Sequence, residues 1–434
     1  MRKTEIIGLI LFVVGMSVFT ILPFSSQYRL SEELLRSQVK DIHRDQLAEL
    51  MQPMYGQTYP STYSFLTAYS TYFQPYNNEL KAKQAWDQVI WDDYGFVLAK
   101  AAMDGPSKTN PWASLGLSIG LIVLGGIMYN LGGNGSSHDS LTHTGVFHSS
   151  LKNKGLLGLL TGSYLILFYV VLYWFPAYLA PLVWMVEPIS QFLSGGPASQ
   201  WFLYGLVYTL AIGVMGVRML LKYRGNRYQQ LRTASLIFFQ TAFAFLIPEV
   251  LVLLNKPYFD FKNIWPLDYD FFYDYQLDTF ISSGGLGLFM LVWGILLIVI
   301  GVPVFTYFYG KRWYCSWVCG CGGLAETVGD EFRHLSDKSL KAWQWERWMI
   351  HGVLALAVVM TALTLVNYFT SFSLLGQVTN QLHSMYGFAI GSAFAGVVGT
   401  GFYPLMGNRV WCRFGCPLAA YLGLVQRFKS RFRI

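Results

Sequence analysis

Five cysteines are the residues of this chain with most chemistry to offer, and they crowd into two short stretches: Cys315, Cys319 and Cys321, then Cys412 and Cys416. An odd count in two clusters makes a poor disulfide framework and a better ligand set. The stretches follow one pattern. The first reads Gly310, Arg312, Tyr314, Cys315, Trp317, Cys319 and the second Gly407, Arg409, Trp411, Cys412, Phe414, Cys416, each element 97 residues from its counterpart. A repeated unit marks a duplicated structural role. Cysteines four apart on a helical turn share one face, with Cβ atoms about 5–6 Å apart. Two such pairs supply four thiolates, the ligand set of a [4Fe–4S] cluster or a four-cysteine zinc site. The arginines would lower thiolate pKa values and offset the charge of a thiolate-ligated centre. Trp313, Tyr314, Trp317, Trp411 and Phe414 would exclude water. Cys321 adds a Cys-x-Cys that either replaces one ligand or stays free. The competing reading is ordinary: cysteines packed as small apolar residues, beside Trp, Tyr and Arg that anchor helix ends at a membrane interface.

The elements that carry these motifs are membrane helices. Apolar residues make up 53% of the chain and charged ones 13%, against about 25% charged in soluble domains. Eight segments are long enough to cross roughly 30 Å of hydrocarbon: Ile6–Phe24, Pro111–Leu131, Leu156–Trp174, Trp201–Val217, Ala234–Leu254, Phe289–Tyr309, Trp348–Phe372 and Phe388–Met406. The stretch Ala177–Ile189, punctuated by Pro181 and Pro188, reads as interfacial or re-entrant. Met1-Arg2-Lys3 and the apolar run after it resemble a signal peptide, but the run is too long and lacks a small-x-small cleavage site, so it reads as an uncleaved first span. The expected fold is an all-α integral membrane protein of about eight transmembrane helices with a small, mostly helical outer-face domain. Its divisions are a first helix at 1–24, an extracytoplasmic domain at 25–110, helices two to five at 111–288, and helices six to eight with the cysteine motifs at 289–434.

Charge sets the orientation. Arg2-Lys3, the group from Lys222 to Arg232, Lys311-Arg312 and the basic tail from Arg427 fall on one side, whereas the loop Asn255–Leu288 carries Asp260, Asp268, Asp270, Asp274 and Asp278 against Lys256 and Lys262. The positive-inside rule puts both termini and both cysteine motifs in the cytoplasm, so the expected location is the cytoplasmic (inner) membrane, multi-pass. No basic face with interleaved aromatics exists outside the apolar runs, which speaks against nucleic acid despite a net charge of +7. In the outer region, Ser31 before Glu32 and Glu33 marks a helix start, with Leu34, Leu35, Ile42, Leu47, Leu50 and Met51 as an imperfect helical stripe. Its tyrosines, Tyr55, Tyr59, Tyr63, Tyr69, Tyr72 and Tyr76, read either as a cap packed on membrane-proximal loops or as a docking surface.

The last third of the chain, from about Phe289, resembles the polytopic membrane-ferredoxin family that includes the NapH quinol-oxidising subunit, the NosR regulator and the iron–sulfur accessory protein of cytochrome oxidase assembly. Its members carry Cys-x-x-x-Cys-Pro motifs just past transmembrane helices, as Cys412 to Pro417 does here. The resemblance implies electron transfer at the cytoplasmic membrane. The first motif departs from it with Gly320 in place of proline. Many members also continue into a ferredoxin module with further cysteines. This chain has eighteen residues after Cys416, so that module sits on a separate subunit or the sequence is a shortened form.

The resulting expectation is a redox component rather than a stand-alone enzyme. It holds an iron–sulfur centre at the cytoplasmic face on Cys315, Cys319, Cys412 and Cys416, and relays electrons between quinol or ferredoxin and a partner subunit or respiratory complex. The rivals are an assembly factor that binds or reduces a metal such as copper at the same thiolates, and a transporter or structural subunit whose cysteines merely pack. Glu249, inside the fifth span, is either a proton acceptor beside a quinol or a carboxyl reaching the interface. His351 could ligate a cofactor, although no second mid-span histidine completes a haem site. His138, His143 and His148 share one loop and are more simply solvated. Ser392, Ala395, Gly396 and Gly399 read as close helix packing. No nucleotide-binding motif is apparent.

Overall fold

The computed structural model describes residues 3–85, 88–91, 93–132, 156–370, 376, 378–428 and 430–431. The loop of His138, His143 and His148 lies outside them. Among the described residues, seven helices are long and apolar enough to cross a membrane: Lys3–Ile21, Pro111–Gly132, Gln200–Lys222, Arg227–Leu253, Gly284–Tyr309, Leu340–Phe369 and Val378–Gly401. An eighth is counted if the bent pair Gly158–Trp174 and Pro176–Ser194 is one broken span. The break falls at Phe175-Pro176, where proline ends the helix before it. The long helices are called first to eighth in chain order, the bent pair being third. Large apolar side chains stand exposed along them, Val299 at 63% and Ile10 at 55%, as expected of helices whose solvent is lipid. This is the character of a multi-pass membrane protein.

The chain forms two compact units, one of Met1–Gly132 with Val171–Tyr204, the other of Gly133–Val170 with Gly205–Ile434. In the first unit the first and second long helices pack backbone to backbone. A Cβ on Gly15 would lie 2.7 Å from the Ile122 nitrogen, and Gly8 and Gly125 press equally on Tyr129 and Phe12. Small residues permit such approach where helix packing rests on van der Waals contact. Residues 26–110 build a small body around a three-stranded sheet with Gln27–Arg29 in the middle, antiparallel to Thr58–Tyr59 and to Met103–Asp104. Ser31 Oγ caps Glu32–Gln38 by accepting the Leu34 N–H at 3.2 Å, as its sequence context predicts. Leu35, Leu47 and Met51 of the expected stripe are buried, but Ile42 is 80% exposed. The tyrosines mostly serve the body's own interior: Tyr28, Tyr69 and Tyr94 are buried with Phe65, and Tyr55, Tyr59, Tyr72 and Tyr76 pack against them. A buried ion pair, Lys100 Nζ to Glu187 Oε2 at 2.7 Å, fastens this unit internally.

In the second unit the connection after the fifth helix is not an exposed loop. It folds inward: the Trp293 indole donates to the Phe261 carbonyl at 2.9 Å, the Trp265 indole donates to Thr361 at 2.9 Å, and Tyr269 lies against Gly387 and Gly391 of the eighth helix. Trp293 is nine residues into the sixth helix, so residue 261 sits about 14 Å along it. Small residues of the eighth helix make room for rings, Gly391 for Tyr269 and Gly399 for Trp411, whereas Gly401 lies against the main chain of Ile166 in the third helix.

Candidate functional site

Each cysteine motif begins where a glycine reverses the chain. Gly310 (φ 76, ψ 171) follows the sixth helix, and Gly407 (φ 83, ψ 174) follows the short helix Tyr403–Met406. This backbone region is essentially restricted to glycine, which explains the first element of the repeated pattern. The chain then climbs back beside the helix it has left. Cys315 lies on the turn Trp313–Trp317 and Cys412 on the π-helical turn Trp411–Gly415. The second cysteine of each motif is not on the same helix as the first. Cys319 and Cys416 are extended (ψ 129 and 109) and stand at the N-termini of new helices, Gly320–Glu326 and Pro417–Phe428. The expectation of one helical face for each pair is thus corrected: the break after the first cysteine aims the second from a helix N-terminus.

Gly320 and Pro417 occupy the same position, first in the new helix, where proline is at home. In the first motif a Cβ on Gly320 would meet Gln240 Oε1 at 2.7 Å and the Tyr208 ring at 3.4 Å, so a proline there would have to displace the end of the Gln240 side chain. Those contacts also set the depth of the site. Gln240 is the midpoint of the fifth helix. In the other half, Tyr421 donates to the Ile298 carbonyl at 2.9 Å, in a π-helical turn halfway along the sixth helix. π turns leave carbonyls without helical partners, and recur at functional sites. The cysteines therefore lie level with helix middles, and the expectation that they sit at helix ends is corrected accordingly.

The two motifs meet. Cys319 and Cys416 are buried in one apolar cluster with Tyr314, Ile264, Trp411 and Leu418, and Cys315, Cys321 and Cys412 pack against it. Of the flanking aromatics, Tyr314, Trp313 and Trp411 wall the cluster, joined by Phe394. Trp317 instead sits edge-on to Tyr228 at 5.6 Å, and Phe414 lies under the Arg413 guanidinium at 5.1 Å. Cys321 has no counterpart, since Leu418 fills its place in the second motif and is 1% exposed in the same core. Its thiol hydrogen-bonds Cys319.

Electrostatics make this a demanding place for bare thiolates. Cys319 has the Cys321 thiol, the backbone N–H of Gly322 and the Lys262 ammonium near it, whereas Cys315, Cys412 and Cys416 face burial and one another's charge. The thiols are near enough to feel one another's charge, yet no three His, Cys, Asp or Glu among the described residues draw together as one metal ion requires. A four-thiolate set that needs added positive charge suits a multi-iron cluster, which brings more of it than a single divalent ion. The Trp411 indole N–H is buried with no acceptor among the described residues and is available to a sulfur atom. The residues present fit such a group.

Ion pairs fasten the surroundings. Glu326, at the end of the helix begun by Cys319, takes Arg409 of the second motif and, at 3.0 Å, Arg232 of the fifth helix. Arg218 and Lys222 hold Glu331 and Asp330 (the latter at 2.6 Å). Sequence reasoning missed these partners. Glu326, seven residues past Cys319 and the one charged residue between Arg312 and Asp330, was the available signal. Glu249 stands one turn from the end of the fifth helix, nine residues beyond Gln240, which puts it about 13 Å along the helix from that contact. His351 is engaged with the Arg347 carbonyl at 2.8 Å. A groove of about 1660 Å³ runs beside the site, bounded by Tyr314, Val318 and Ile264 on the cysteine side and by Phe239, Trp293 and Phe305 on the other.

A family model described as a 4Fe–4S binding domain matches residues 291–340 and 387–434, the two stretches that contain all five cysteines. No curated protein and no solved structure matches the chain. Over those residues the C-terminal part of the chain is similar to a 4Fe–4S binding domain.

Proposed function

We propose that this is a membrane-bound electron-transfer protein in which Cys315, Cys319, Cys412 and Cys416 hold one [4Fe–4S] cluster. The observation that carries the reading is the meeting of two repeat-related cysteine pairs in one buried cluster. Bound there, the cluster supplies one-electron storage. The chain's own residues do the rest. Cys319 and Cys416 present sulfur from helix N-termini, where the dipole favours a thiolate. Arg409, held by Glu326 and near Cys412 and Cys315, offsets their charge. Trp411, Tyr314 and Phe394 keep water out.

The membrane is the cytoplasmic one, with both termini inside, on the strength of the lysine and arginine distribution. Electrons pass between quinol or a ferredoxin and a partner redox complex. In support of a lipid-borne carrier, the groove beside the site is walled by aromatic rings and shares Tyr314 and Ile264 with the cysteine cluster.

Iron and acid-labile sulfide in the purified protein test the reading, with electron paramagnetic resonance after reduction. Cys315→Ser and Cys412→Ser should each abolish one and the same signal, since a shared centre loses integrity from either side. Cys321→Ser should leave it. Retention of the signal in either of the first two variants would refute a single shared cluster.

A further inference from the structure

The inward-folded connection after the fifth helix delivers a cation to the cysteines. Its residues 260–264 are held on both flanks. The Tyr314 hydroxyl donates to the Lys262 carbonyl at 2.6 Å, and Tyr314 directly precedes Cys315. Ile264, two residues on, is buried in the cluster that contains Cys319 and Cys416. Between these anchors the Lys262 side chain is 8% exposed, with Nζ 3.1 Å from Asp260 Oδ2. It lies within electrostatic reach of Cys319 and Cys321. A buried ammonium is costly unless paired. Asp260, 3.1 Å away, supplies that pairing.

No hydrogen bond to the backbone needs Lys262 to be a lysine, because its anchoring uses the main-chain carbonyl. An apolar residue would fill the same place at lower desolvation cost, so the charge calls for a reason. The cysteines provide one. Reduction of a thiolate-bound iron–sulfur cluster adds one electron and one negative charge, with no bond made or broken. A fixed cation in a poorly solvated interior stabilises the reduced form more than the oxidised one.

Resting on the reading that the four cysteines hold a cluster, we propose that Lys262 sets the reduction potential of that cluster, with Asp260 tempering its charge. Lys262 is a positioning residue in this role: it acts on the cluster through space and ligates nothing. The inward fold exists in part to bring it there.

The test is a reductive titration of the purified, cluster-loaded protein in detergent, with dithionite as electron source and the midpoint read from the resonance signal. Lys262→Met should make reduction about tenfold less favourable, a downward shift of about 59 mV for a one-electron couple. Lys262→Arg keeps the charge and should stay near the unsubstituted value. Asp260→Asn leaves the ammonium uncompensated and should move the midpoint upward. Opposite signs for the two neutralising variants are what a packing defect would not produce. If Lys262→Met does not load, Asp260→Asn decides alone: an upward shift supports the proposal, and an unchanged or lower midpoint overturns it. A loaded Lys262→Met at the unsubstituted potential, or Met and Arg variants shifted alike, would also overturn it. So would loss of the cluster in all three variants, which would make the segment a structural wall. Absence of iron and sulfide from the unsubstituted protein is a different outcome and refutes the proposed function itself.

Discussion

Gly322→Ala tests the reversal of the chain at the first motif. Gly322 is the third residue of the helix Gly320–Glu326. By helix propensity alone, alanine there should stabilise by up to about 1 kcal/mol. The structure predicts the opposite sign. A Cβ on Gly322 would overlap the Cys315 carbonyl oxygen and carbon and lie 3.2 Å from the Cys315 Cα, all main-chain atoms with no rotamer to escape into. Forced overpacking of this kind costs about 1–3 kcal/mol. Gly323 is the internal control. Its Cβ would meet only Ile212 and Leu236 side-chain carbons at 3.4 and 3.5 Å, which is ordinary contact. Gly323→Ala should therefore be neutral or mildly stabilising, and the two neighbouring substitutions should differ by about 1–4 kcal/mol. Thermal unfolding of both variants in the same detergent measures that difference. Because the displaced peptide belongs to Cys315, Gly322→Ala should also lower bound iron per chain and alter the resonance line shape, whereas Gly323→Ala should do neither. Equal stability and equal iron in the two variants would refute the folding-back of this motif against its own helix.

Two further outcomes follow from the two units separately. Glu187→Gln leaves Lys100 with its charge in a buried site, where its other partner is the Ala198 carbonyl at 2.6 Å; breaking such a pair from one side should cost about 3–5 kcal/mol, read as a lower melting temperature, and an unchanged melt would show that the pair contributes nothing. For the orientation, a cysteine introduced at Ile42, 80% exposed, should react with an impermeant thiol reagent on intact cells, while one at Lys341 should react only after permeabilisation. The reverse pattern would overturn the charge-based topology.

Much of the architecture was legible in one dimension. Long apolar runs can satisfy their backbone in lipid only as helices, so each segment read from hydropathy overlaps one helix found, although the seventh and eighth helices begin eight and ten residues earlier than the spans read for them. The repeated motif was legible too, because a pattern kept at a fixed spacing of 97 residues is independent of how the chain folds. Ile42 was not: it stands seven residues after Leu35, a helical spacing, but faces outward, because the turn between two short helices resets the phase of the stripe.

By itself, then, the sequence determined that this protein is a bundle of apolar helices with two matched cysteine pairs, each announced by a glycine. Those properties rest on local chemistry: side-chain transfer to lipid, and a thiol's affinity for metal. Only the tertiary structure decided where the pairs go. Hydropathy records what each residue prefers as solvent, not the direction of the chain beyond a glycine with positive φ. The reversals at Gly310 and Gly407, the depth of the cysteines and the choice of Trp411 over Phe414 as their wall all follow from that one omission. Lys262 is the clearest case. Counted along the chain, it is a minor charge in an acidic loop. In space, a carbonyl accepting from Tyr314 and an isoleucine buried among thiols hold it beside Cys319, a placement made by contacts between residues more than fifty positions apart.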